Sequence, residues 1–124
     1  MEETHPNAFM ADCPTRNILA RLAEKWTMLT LAALKDGTMR FGALHRRIEG
    51  VSQKMLTKTL RKLERDGLVS RHVFDEMPLR VEYALTPMGD EVSDLVLALK
   101  AWTETNMDRI VSAGDSVPDA VAPG

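Results

Sequence analysis

Three patterns in this sequence predict a mainly α (α+β) chain built around one helical pair. The first is a stretch from Gly50 to Gly67 whose apolar and polar positions separate at helical spacing. The second is a change to strand-like alternation after Gly67, and the third is a long heptad-like seam beyond Pro87.

The chain of 124 residues suits one domain with its own core and is too short for two. No apolar run reaches the roughly 20 residues of a membrane span, and Met1-Glu2-Glu3 does not open a signal peptide, so a cytoplasmic location is expected. Cys13 is the single cysteine, so no internal disulfide can staple the fold. The formal net charge of −2 hides an uneven distribution. Between Arg40 and Arg71, nine Lys or Arg face three acids, a local balance of +6, whereas from Asp90 onward seven acids face two cations, giving −5. A basic segment joined to an acidic remainder is expected where one surface meets phosphates and the rest stays off them.

Residues 1–12 are polar and without periodicity, and a flexible arm is expected there. Asp12-Cys13-Pro14 marks a helix start, because proline is tolerated in the first turn, where its missing amide would be unpaired anyway. Ile18, Leu19 and Leu22 form a short stripe. Trp26, Leu29, Leu31, Ala32 and Leu34 continue it in a second helix from about Glu24, ended by the Asp36-Gly37 turn. Met39 to Phe41 allows a short strand, and Phe41 to Ile48 reads as a short helix with Phe41, Leu44 and Ile48 inward.

Gly50 then interrupts, Ser52 is a good N-cap, and Gly67 supplies the left-handed residue just past a C-terminus. In the helix between them, Met55, Leu56, Thr59, Leu60 and Leu63 share one stripe, while Gln53, Lys54, Thr57, Lys58 and Arg61 share the opposite side. Those five positions carry long donors and small hydroxyls, with no carboxylate. Lys and Arg neutralise phosphates, and Gln, Thr, Ser and Arg can also read base edges. A solvated face on an ordinary amphipathic helix is the other reading. Short helix, tight turn and second helix together make a helix-turn-helix, whose second helix enters a major groove.

Residues 68–74 and 80–85 read as two strands around a turn, with Val81, Tyr83 and Leu85 on one face. Such a hairpin must lean on the helices, which makes the fold a winged helix-turn-helix with a two-stranded wing. Arg80, near the hairpin tip, is placed to reach a phosphate or a minor groove. Thr86-Pro87 begins a last helix of some six turns in which Met88, Val92, Leu95, Leu99 and Trp102 form the seam. Part of that seam can pack on its own domain, yet a chain this small has few core positions left for it. A homodimer built on this C-terminal dimerisation helix and the first helix is therefore expected. The domain is placed at residues 13–112, with a disordered tail over 113–124.

With these motifs in view, the chain resembles the HxlR-type winged helix-turn-helix regulators, relatives of the MarR regulators. The likeness lies in Cys13-Pro14, Lys25-Trp26-Thr27, Arg40-Phe41, Val51 through Leu56, Leu63-Glu64 with Asp66-Gly67-Leu68-Val69, and Pro78 through Pro87 to Gly89. It implies a homodimer that binds double-stranded DNA at a pseudo-palindromic operator; no enzymatic activity, cofactor or metal is expected. It also implies groove contacts from Ser52, Gln53, Lys54, Thr57, Lys58 and Arg61, a backbone contact from Arg40 and a wing contact from Arg80. Cys13 matches a cysteine that senses oxidants or electrophiles in several members, with any disulfide running to the partner's Cys13 or to a small thiol.

For Cys13 two readings stay open. A helix start favours thiolate and so reactivity, with Asp12 opposing. A buried small apolar residue covered by a partner is the alternative. His5, His45 and His72 share no ligand spacing with Cys13 and are read as surface residues. Two rival functions also follow from the sequence. One is a thiol enzyme, for which Cys13 lacks a base and an orienting group. The other is a winged helix that only docks proteins, which fold by itself does not exclude.

Overall fold

The computed structural model describes residues 5–115. Five helices and three short strands follow in the order α1 (Pro14–Leu22), α2 (Lys25–Leu34), β1 (Met39–Arg40), α3 (Phe41–Arg47), α4 (Gln53–Arg65), β2 (Val69–Phe74), β3 (Arg80–Leu85) and α5 (Pro87–Asp115). No helix among the described residues is long and apolar enough to cross a membrane.

Local chemistry sets most of these boundaries. The Glu24 carboxylate accepts the Thr27 backbone N–H at 3.0 Å and caps α2, and the Ser52 hydroxyl oxygen accepts that of Met55 at 3.0 Å and caps α4. At the far end of α4, Gly67 takes a φ of 77°; its N–H reaches the Glu64 carbonyl at 3.1 Å while that of Leu68 reaches Leu63 at 2.9 Å. Only a residue without Cβ enters that conformation cheaply, and the paired bonds satisfy carbonyls the helix leaves open. Thr86 ties the start of α5 to this corner, its hydroxyl donating to the Gly67 carbonyl at 2.6 Å and accepting the Gly89 N–H at 3.1 Å.

β2 and β3 form the expected antiparallel hairpin, and β1 adds a third strand on the other side of β3, with Met39 opposite Tyr83 and Arg40 opposite Glu82. A two-residue strand is too short to show alternation, so its pairing was invisible in the sequence. The core lies between α2, α3, α4 and the sheet root, where Leu31, Leu44, Leu56, Leu60, Leu63 and Val69 are fully buried. The inward stripe expected for α4 is the one observed, with Met55 only partly covered.

Two elements differ from expectation. α5 runs for 29 residues, about eight turns rather than six, and its first half packs on the core through Val92 and Val96. It remains helical through residues 113–115; the rest of the expected tail, like residues 1–4, lies outside the described residues. In the expected N-terminal arm, Asn7 to Cys13 form two consecutive turns, Met10 N–H donating to Asn7 and Cys13 N–H to Met10, and Arg16 donates to the carbonyls of Ala8 and Phe9.

Candidate nucleic-acid interface

α3 braces against α2 through Leu44 and Ile48, the chain turns at Gly50, whose φ is 92°, and α4 presents its polar side outward. On that side Gln53, Lys54, Lys58 and Arg61 are exposed and Thr57 is half-buried. Together with Lys62 and Arg65 they line one continuous shallow concavity. The last two cations were not singled out from the sequence, although their place at the far end of the same helix was a usable signal. Ser52 begins the ridge, with its oxygen occupied by the cap and its hydroxyl hydrogen left to donate. Arg40 is exposed at the N-cap of α3, on the wing side of the motif.

What distinguishes the ridge is the absence of counter-charges. Among the described residues, ion pairs join Arg21 to Asp66, Lys35 to Asp90 and Asp94, Arg47 to Asp36, Arg80 to Glu76 and Glu82, and Lys100 to Glu104. None takes in Lys54, Lys58, Arg61, Lys62 or Arg65. Arg21 of α1 even holds Asp66, one of the three acids of the basic segment, at 3.1 Å. The ridge therefore turns a net positive field toward solvent, the condition for attracting a polyanion.

Arg80 has a different setting. Its Nη2 lies 3.0 Å from Glu76 Oε1 and its Nη1 3.3 Å from Glu82 Oε2, with the guanidinium carbon 3.8 Å from the centre of the Phe74 ring. The sequence placed a cation near the wing tip but could not show that two carboxylates hold it.

Cys13 is partly exposed at the N-cap of α1. Its Sγ accepts the Asn7 backbone N–H at 3.3 Å and lies 3.3 Å from the Thr15 hydroxyl oxygen. The Thr15 hydroxyl chiefly, then the Asn7 and Thr15 backbone amides, hold the thiol below its ordinary range; partial burial and Asp12 oppose them. Thr15 stands in the first turn of α1, two residues from the thiol, while Asn7 is brought back by the turn of the arm, which no local pattern announced. His45 stacks beside Phe41 with ring centres 6.2 Å apart, and no cluster of three metal-ligating side chains occurs among the described residues.

The family model described as HxlR-like helix-turn-helix matches residues 21–111 of this chain. The chain is 43% identical over 109 residues to the uncharacterized HTH-type transcriptional regulator YtfH of Escherichia coli K12, covering 88% of this chain and 86% of that protein. Among solved structures it is similar to the putative transcriptional regulator ytfH from Salmonella typhimurium, with a TM-score of 0.84 and 42% identity over 90% of this chain and 99% of that one. It is also similar to the redox regulator HypR in its reduced form, with a TM-score of 0.73 and 37% identity over 80% of this chain and 98% of that one. With a basic helical face that no described carboxylate pairs, set between a bracing helix and a wing, and with these likenesses, the chain belongs to the HxlR-like helix-turn-helix family of transcriptional regulators, which are not enzymes.

Proposed function

We propose that the protein is a homodimeric, sequence-specific DNA-binding regulator of the cytoplasm that reads a pseudo-palindromic operator and responds to oxidants or electrophiles through Cys13. The observation that carries the DNA-binding reading is the ridge on α4, where no described carboxylate pairs with Lys54, Lys58, Arg61, Lys62 or Arg65. Gln53 can pair a base edge with one donor and one acceptor and Arg61 with two donors, Lys54 and Lys58 neutralise phosphates, and Ser52 and Thr57 add hydroxyl contacts at closer range. Arg40, at the mouth of α3, meets the backbone beside the groove. The wing adds a cation, and ion pairing decides which one.

Dimerisation is supported by apolar surface that the described residues leave about half exposed or more. On α5, Leu95 and Trp102 are 71% and 54% exposed, and on α1, Ile18 and Leu19 are 45% and 56% exposed. Apolar patches of this kind on a small protein mark association surfaces. A two-fold pair presents two copies of α4, whose spacing a palindromic site would match.

The test is a footprint on the DNA flanking its own gene, with and without diamide, beside sedimentation at micromolar concentration. Two protected half-sites about one helical turn apart and a dimeric mass are expected. A monomer only, or no protection at low salt, overturns the corresponding part. The sensor role falls if Cys13→Ser leaves release by diamide unchanged.

The thiol environment gives a pH prediction of its own. Because the bonds from Thr15 and Asn7 favour the thiolate, the alkylation rate of folded protein is expected to rise at lower pH than that of the urea-unfolded chain. Cys13 is the single cysteine, so alkylation reports on it alone. Thr15→Ala is expected to move the midpoint back up, and coincident folded and unfolded profiles would show that the turn does not activate the thiol.

A further inference from the structure

We infer that the wing meets DNA phosphate through Arg71, at the root of the hairpin, while Arg80 braces the wing. The inference rests on the DNA-binding reading and names a residue that reading did not include. Arg80 is already compensated. Two carboxylates hold its guanidinium edge and the Phe74 ring covers one face. From Phe74 to Glu82 the hairpin carries Asp75, Glu76 and Glu82 against Arg80, a balance of −2. A phosphate approaching the tip meets a net negative field, and binding there would require Arg80 to give up two charge-assisted bonds and a stacking contact.

Arg71 is the converse case. It is exposed, and among the described residues it takes part in none of the ion pairs. The register sets Arg71 opposite Tyr83, and Phe74 opposite Arg80. Alternation therefore puts Arg71 and Arg80 on opposite faces of the sheet. Tyr83 packs against the core, so the face it shares with Arg71 is the one turned toward the helices. There Arg71 lines a concavity between wing and α4 together with Thr57, Arg61 and Tyr83. That continues the recognition ridge across the gap to the wing. Glu64 borders the same concavity and offsets part of the field.

The experiment is the salt dependence of binding to a mixed-sequence DNA duplex, since phosphate contacts do not depend on sequence. Arg71→Ala is expected to reduce the slope of log affinity against log salt by about one and to weaken binding on the order of fivefold to tenfold at about 0.1 M salt, whereas Arg71→Lys keeps the slope. Arg80→Ala is expected to keep the slope and lower the urea midpoint. An unchanged slope for Arg71→Ala, or a unit of slope lost in Arg80→Ala, overturns the assignment while wild-type binding stands. Failure of the wild-type protein to bind duplex at low salt overturns the regulator reading itself, and this assignment with it.

Discussion

Replacing Lys54, Lys58 and Arg61 together with glutamate is expected to weaken duplex binding by on the order of 10³-fold or more at about 0.1 M salt, with the fold intact. Each phosphate contact that releases a counterion accounts for roughly a tenfold change at that salt, and reversal adds repulsion to the loss. The fold has little reason to respond. All three side chains are exposed and none belongs to an ion pair of the described residues. A glutamate at position 54, in the first turn of α4, even suits the positive end of the helix dipole. Surface changes of this kind leave stability within about 0.5 kcal/mol each. Fluorescence anisotropy against a duplex, beside a urea denaturation curve, separates the two effects. Retained binding in the triple variant would show that DNA meets another surface, whereas a wild-type protein that binds no duplex would favour a winged helix that serves as a protein-docking module.

Gly89→Ala is expected to destabilise the protein by about 3 kcal/mol, read as a lowered urea midpoint with an unchanged slope. Gly89 is buried in the first turn of α5, where the helix passes against the backbone at the start of β2. A methyl group there would lie 2.9 Å from the Leu68 carbonyl carbon and closer still to its oxygen. That oxygen accepts the Thr86 N–H at 3.1 Å, so the obstacle is paired backbone and not a side chain that can swing away. Relief requires α5 to lift from the corner that Thr86 holds against Gly67. One added methyl then costs as much as removing a buried leucine side chain such as that of Leu60. An unchanged midpoint would show that α5 can shift at this end without loss.

How far the sequence reached depends on the range of the interaction involved. Ser52 and Gly67 were readable because capping is decided within three or four residues, and the structure places both bonds where the spacing put them. The two faces of α4 were readable because a helix converts a spacing of three and four into one side. Ile18, Leu19, Leu95 and Trp102 show the limit of the same rule. Their periodicity marks an apolar stripe, and only the fold reveals that the described residues leave much of it exposed. The resemblance of Pro78 through Gly89 to a family motif was visible, but the reason for a glycine at 89 was not, since Leu68 approaches it from another element.

By itself the sequence determined the helix-turn-helix, the hairpin after it, the cationic ridge and the long seam. Each of these follows from residues within about two turns or one hairpin of each other, where propensity and period act directly. The tertiary structure alone decided which cations remain available. Arg80 lies within reach of Glu76 and Glu82, Arg21 crosses to Asp66, and among the described residues the cations of α4 join no ion pair. Charge counted along a chain is blind to such pairing, because Coulomb attraction depends on distance in space and on the solvent between the charges.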